Sequence, residues 1–291
     1  MATFTATPAN FTNSSDANFR LWGSYIGARL EAVGIIKTAD TGQIDWVTVL
    51  TPAGINTYSG YEIRQFTDAL QATAPVFIKI QYGEGNSADG PGVRVQFGSG
   101  SNGSGTLTGN LSSEYDAEMT PSAAACTVFG SGDTNRFVIC AGYIAAVGVG
   151  FAFERSRNSA GAVTSEAVIW TAHSTAAISS GAAQTAVWST TLGVLGATET
   201  DIGALFPAGA TAASGVQTMV MPVFHSKGVF MNPGLNCVGY YTENIAINST
   251  ISAYMYGAAH TYFCLPTTAF ATTTAFRGAG GGTESLAILY E

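Results

Sequence analysis

Charge is what this sequence lacks. Its 291 residues hold 11 Lys and Arg and 19 Asp and Glu, so charged residues make up 10% of the chain, where a soluble domain carries ~25%. The hydrophobic fraction is an ordinary 46%, and what stands in for charge is Ser, Thr, Asn, Ala and 35 Gly. A compact monomer of this length exposes on the order of 11,600 Å², or about 390 Å² per charge. Charge keeps dissolved proteins apart. Such a surface therefore suits a chain that buries much of itself against copies of itself or against other subunits.

Other absences exclude whole classes. The net charge is −8 and no window clusters three Lys or Arg, so the basic patch that phosphate backbones require is missing, and nucleic acid is not an expected partner. The same balance disfavours an anionic membrane surface. No run of 18 apolar, Gly-poor residues offers a membrane-spanning helix. The apolar stretch Phe137 to Phe153 is broken by Gly142, Gly148 and Gly150 and reads as two strands. The first twelve residues, MATFTATPANFT, lack the basic and apolar regions of a secretory signal. Cys126, Cys140, Cys237 and Cys264 stand alone in apolar contexts, which predicts buried free thiols rather than a metal or redox pair.

Residues 1–13 show no period and read as an extended arm, with Phe4 and Phe11 spaced as anchors on a neighbouring subunit. Residues 14–34 predict a helix: Ser14, Ser15 and Asp16 are N-cap candidates, Phe19, Trp22, Ile26, Leu30 and Val33 follow at steps of three and four, and Gly34 is a fitting stop. Gly23 and Gly27 sit one turn apart beside that face. Their cost in helix propensity points to close packing against another backbone. The expected assembly contacts are thus Phe4, Phe11, Trp22, Gly23 and Gly27.

A short strand is expected from Ile44 to Leu50, and a second helix from Ser59, where Glu62 three residues on makes a capping-box pattern. Val76 to Tyr82 alternates as a strand does. Strands are also expected at 93–97 and 106–111. From about residue 120 the helical periods vanish and short β-rich runs alternate with Gly, Asn and Pro. The organisation expected is an extended arm (1–13), an α+β assembly domain (14–118) and a β-rich sandwich or jelly-roll-like domain (119–291), mainly β as a whole.

No constellation specifies a reaction. Asp40-Thr41-Gly42 matches the aspartic-protease triplet in letters, but the apolar strand and second carboxylate of those enzymes are missing around it, and it reads as a turn. The Gly-rich loop 83–92 has no Gly-Lys-Ser/Thr ending, and Glu84 and Asp89 fit no calcium loop. His173, His225 and His260 are scattered. Glu154 and Glu166 fall in neighbouring expected strands and are read as partners of Arg155 and Arg157 at a sheet surface rather than as a glycosidase pair. No catalytic, metal or cofactor residue is expected. Tyr240, Tyr241, Tyr254 and Tyr256 are candidates for stacking on sugar rings, with core packing as their alternative.

Several words in the first 110 residues resemble virion proteins of tailed bacteriophages. They are Phe19-Arg-Leu-Trp-Gly23, Asp40-Thr-Gly-Gln-Ile-Asp-Trp46, Gly60-Tyr-Glu-Ile63, Asp68-Ala-Leu-Gln71, Ala74-Pro-Val-Phe-Ile-Lys-Ile80 and Tyr82-Gly-Glu-Gly85. The resemblance implies a structural subunit of a virion and carries no active-site residue. Together with the composition it gives the expectation of a homo-oligomer, most simply a trimer, on the tail side of the particle (tail tip, baseplate or fibre). A capsid decoration, head-fibre or collar protein is the alternative place, and a host-glycan-binding adhesin module the alternative role.

Overall fold

The structure, a computed structural model, describes residues 2–9, 11–85, 90–118, 126–143, 146–158, 160–172, 183–191, 193–197, 221–227, 230–242, 250–255, 258–264 and 284–290. It is mainly β, with one α-helix among these residues. Strands are numbered along the chain. The central sheet has seven: β1 (Ala2–Ala9), β8 (Cys126–Asp133), β9 (Arg136–Tyr143), β10 (Ala146–Arg157), β11 (Val163–Ala172), β12 (Ala183–Ser189) and β13 (Gly193–Ala197), side by side in that order. A second sheet orders β2 (Ile36–Lys37), β3 (Tyr58–Gln65), β4 (Phe77–Glu84), β5 (Pro91–Ser101) and β6 (Leu107–Leu111), with β7 (Tyr115–Glu118) also on β5. The third orders β14 (Met221–Lys227), β15 (Phe230–Thr242), β18 (Glu284–Leu289), β17 (Ala258–Cys264) and β16 (Thr250–Met255). Every pairing is antiparallel.

The central sheet is covered on both faces. Alternate residues of a strand point to opposite sides. Phe137, Ile139, Ala141, Phe151, Phe153, Ala167 and Ile169 join a core shared with the helix and the second sheet. The intervening positions meet the third sheet: Phe129 stacks on Phe263 with ring centres 4.8 Å apart, and the Ser131 hydroxyl donates to the Leu289 carbonyl. Strands buried on both sides read as continuous apolar runs, and 137–153 is such a run, folded as the β9–β10 hairpin. The third sheet lying on the central one makes the sandwich, and β8 to β13 follow one another as a meander rather than a jelly roll.

Helix α1 (Asp16–Ala32) forms where its sequence pattern places it. Ser15 is the N-cap, its side chain accepting the Asn18 N–H, and Gly34 closes the far end at φ +89°, a conformation that costs a glycine little. Phe19, Trp22, Ile26 and Leu30 are buried, each stabilising by ~1.5–3 kcal/mol. Trp22 lies 6.0 Å from Tyr82 of β4 and 5.8 Å from Phe11. Its indole N–H donates to Asn13 Oδ1 at 3.0 Å, while Asn13 Nδ2 ties down the carbonyls of Gly83 and Gly90. In β4 the expected alternation holds, with Ile78, Ile80 and Tyr82 fully buried.

Three expectations are corrected. Residues 2–9 are not an arm laid on a neighbour: they form β1 on this chain's own β8, Phe4 opposite Gly130. Residues 58–65 are strand β3, not a helix, because pairing with β4 buries Ile63 and Arg64 in a sheet and overrides the Ser59–Glu62 cap pattern. Only a 3-10 turn, Ala69–Ala72, follows it. Residues 44–50 are not a strand but a turn-rich loop, in which Asp45 accepts from the Val47 N–H and the Thr48 hydroxyl.

With Trp22 fully buried, Trp22→Ala is expected to destabilise the fold by about 3–5 kcal/mol, measured as a shift in denaturant midpoint.

Candidate functional site

The groups that carry charge on the inside of the molecule are the first candidates for chemistry. The largest set lies under α1. Glu62 of β3 is buried and accepts three donors, Trp46 Nε1 at 3.2 Å on Oε1 and Arg64 Nε at 2.9 Å and the Tyr82 hydroxyl at 3.1 Å on Oε2, with the Lys37 ammonium 3.6 Å from Oε1 as an ion pair. Arg64 Nη1 also reaches Glu31 Oε2 and the Ile35 carbonyl, both at 2.9 Å. Burial and then the Glu62 charge push the Tyr82 phenol well above its ordinary range, so it stays a donor. Burial alone would lower the Arg64 guanidinium, but Glu62 holds it up.

Gly23 and Gly27 exist for this cluster. A Cβ at Gly23 would meet the Trp46 ring at 2.0 Å, and one at Gly27 would meet Arg64 Nη2 and Glu62 Oε1 at 3.2 Å. The two glycines admit side chains of the same chain, not a neighbour's backbone. Of the expected assembly contacts, then, Phe4, Phe11, Trp22, Gly23 and Gly27 are all buried in this chain's own interior. Phe4 keeps 8% of its surface exposed and Phe11 2%, so their rings are used inside this chain.

A second buried cation, Arg155 of β10, faces the second sheet. Its Nε lies 2.5 Å from Asp68 Oδ2, its Nη2 donates to the Ala74 carbonyl at 2.9 Å, and its guanidinium sits 5.3 Å from the Phe66 ring centre. Glu154 points the other way and accepts the Cys237 N–H at 2.9 Å. Burial and then Glu154 raise the Cys237 thiol, and burial raises that of Cys140. Both are protonated structural residues, and Cys126, Cys140 and Cys237 are buried free thiols. The surface pairing expected of these groups is therefore corrected: Arg155 pairs with Asp68, Arg157 donates to the Gly161 carbonyl at 3.0 Å, and Glu166 accepts from Thr164 at 3.4 Å.

Asp40 of the protease-like triplet is a loop clamp. Burial would raise its carboxyl, but hydrogen bonds from the Ser101 hydroxyl, the Thr38 hydroxyl and the Gly105 N–H outweigh it and hold it below the usual range. The main chain of Thr41 bonds Gly103 at 2.9 Å, closing the turn onto the β5–β6 hairpin.

The polar outer face of the second sheet carries a cross-strand row: Tyr61 opposite Gln81, Gln81 opposite Arg94, Arg94 opposite Asp116. Arg94 holds Asp116 through Nε at 2.6 Å and Nη2 at 3.1 Å, and Glu114 at 3.0 Å. Its guanidinium covers the Tyr58 ring at 4.7 Å, and Lys79 covers Tyr61 at 4.9 Å. This face was not singled out in the sequence; the alternation of β4 and β5 was its visible signal. Tyr256 lies outside the described residues, as do the side chains of Tyr240, Tyr241 and Tyr254.

One apolar cavity of about 10 Å³ lies between helix and sheets, lined by Phe11, Trp22, Val93 and Phe151 among others. That is about the room of one water and too little for a ligand. No group of His, Cys, Asp and Glu among the described residues could hold a metal ion. No family model matches this chain, and no curated protein matches it.

Glu62→Ala is expected to cost about 3–5 kcal/mol by stranding Arg64 in the interior, and Glu62→Leu with Arg64→Met to recover most of that loss. Denaturant unfolding of the three proteins reads both effects. A second expectation concerns acid. Asp16 is held low chiefly by the Thr51 N–H, and Asp45 chiefly by the Val47 N–H. A carboxyl lowered in the fold stabilises it above the unfolded value of about 3.9, and that contribution is lost as pH falls through the folded value. The amide signals of Val47 and Thr51 should therefore titrate with midpoints below that of a free aspartate.

Proposed function

We propose that the chain is a structural subunit of a tailed-bacteriophage virion, self-associating and placed on the tail side of the particle, at the tip, baseplate or fibre. The supporting observation is how little charge the folded surface keeps. Among the described residues Glu62, Arg64, Glu84, Glu118, Glu154 and Arg155 are buried, so at most ~24 of the chain's charges serve an accessible surface of 11619 Å², no more than about one per 480 Å². Glu62, Arg64, Glu154 and Arg155 are engaged in holding the layers together, which suits a mechanical role rather than a catalytic one. Capsid decoration, head-fibre or collar protein is the same role at another place.

A second role, binding a host surface glycan, is favoured by the outer face of the second sheet. There Tyr61, Lys79, Gln81, Arg94 and Asp116 combine rings with polar side chains, the pairing that sugar recognition uses.

Light scattering on the purified protein tests the first reading: a mass that is a multiple of 29.9 kDa is expected, and a monodisperse monomer at micromolar concentration overturns it. Antibody labelling of purified particles then reports head or tail. For the glycan role, a glycan array should show binding that Tyr61→Ala removes; an array with no binding overturns it.

A further inference from the structure

The most exposed large apolar side chains of the described residues are Val47, Leu50 and Leu21, at 78%, 63% and 51%. Val47 and Leu50 stand on one loop, and Leu21 follows Arg20, the residue that ties that loop to α1. Arg20, beside Leu21, donates to the Val49 carbonyl at 2.6 Å and the Thr48 carbonyl at 3.2 Å. Asp16 accepts from the Thr51 N–H at 2.8 Å and hydroxyl at 3.0 Å. The residues on both sides of Leu50 are thus pinned to the first turns of α1. Trp46 seats the start of the loop in the notch at Gly23. The loop is held firmly in a shape that keeps Val47 and Leu50 in water.

The outward strip of α1 continues the same surface. Ala17, Leu21, Ser24 and Ala28 follow at steps of four, three and four, the spacing that keeps one line of a helix against a partner helix. Ala17, Leu21 and Ala28 are exposed and Ser24 is half-buried, and none carries a charge until the line reaches the exposed Glu31, which pairs with Arg64. A surface helix ordinarily places its charges on that side.

We propose that a second copy of this chain docks on this face, α1 beside α1 about their shared symmetry axis, with Val47 and Leu50 closing over the partner's helix. This rests on the self-association proposed above and says where it happens. Leu21, Val47 and Leu50 together expose roughly 300 Å², within the range of the largest apolar patch on an ordinary monomer, which is often functional. A standard interface covers about 800 Å² per partner, of which roughly 57% is apolar, and the patch with its two alanine methyls supplies most of that apolar share. The bordering charges, Asp16, Arg20, Glu31 and Asp45, carry both signs, and each is held by groups of its own chain. Copies can therefore meet without a block of one sign facing its like, a juxtaposition that costs several kcal/mol. Symmetric contacts of this kind are how most soluble oligomers close.

Two measurements test it. Leu21→Glu combined with Val47→Glu is expected to convert the oligomer to a 29.9 kDa monomer in light scattering, with its circular dichroism unchanged. Ser24→Cys under mild oxidation is expected to give a covalent dimer that the wild type does not. The second arm stands even if the first variant fails to fold, since Ser24 lies on the outer side of the helix. An oligomer that survives the double substitution and yields no Ser24→Cys dimer overturns this face as the contact while leaving self-association intact. A monomeric wild type overturns both.

Discussion

A sheet covered on both faces has to satisfy two cores at once, and the middle of the central sheet of this chain is in that position. One side takes the helix and the second sheet, the other takes the third sheet. Inward side chains are therefore mostly apolar, because an unpaired polar group in such a place costs free energy, and Trp170 Nε1 and Thr171 Oγ1 of β11 are departures from that pattern. The polar groups that do occur are placed where layers meet. Ser131 bonds across to β18, Glu154 across to β15, and Arg155 across to the segment after β3. These contacts fix how the layers sit on one another, a specificity that apolar contact alone does not supply.

The same economy explains where the charges went. Glu62 and Arg64 are the only acid and base of β3, and both are spent beneath α1, where two glycines leave the room that any other residue would fill. A buried pair of this sort adds little net stability, since desolvation offsets most of the attraction, but losing one partner is severe. The helix is thereby committed to one seat on the sheet. Its inward face is fixed by Phe19, Trp22, Ile26 and Leu30, so its outward strip, uncharged and apolar at Leu21, is left over as surface.

What the sequence made legible follows from how local each determinant is. α1 was readable because its cap, its apolar period and its terminal glycine all lie within twenty residues. β4 was readable because one of its faces is buried and the other is not. The segment 59–62 misled because a capping box is a local signal, and the partner that makes it a strand, β4, must be folded beside it to outweigh the cap. The N-terminal strand could not be read at all: its partner β8 lies more than a hundred residues away, and nothing in residues 2–9 names it. Gly23 and Gly27 announced close packing, yet whether a backbone or a side chain came close was decided by Trp46 and by the Glu62–Arg64 pair, which only the fold brings there.

Sparse surface charge and a preorganised apolar loop bear on each other. A flexible loop with Val47 and Leu50 at its tip would turn them inward or average them over many conformations. Here Asp16, Arg20 and Asp45 bond the loop's main chain so that neither happens. Ordering such a segment before association lowers the entropy lost on association, which is an advantage to a docking surface and of none to a free monomer. Three of the few charged side chains near the helix are used to keep apolar residues outside. That arrangement fits the docking face proposed above better than it fits an ordinary solvated surface.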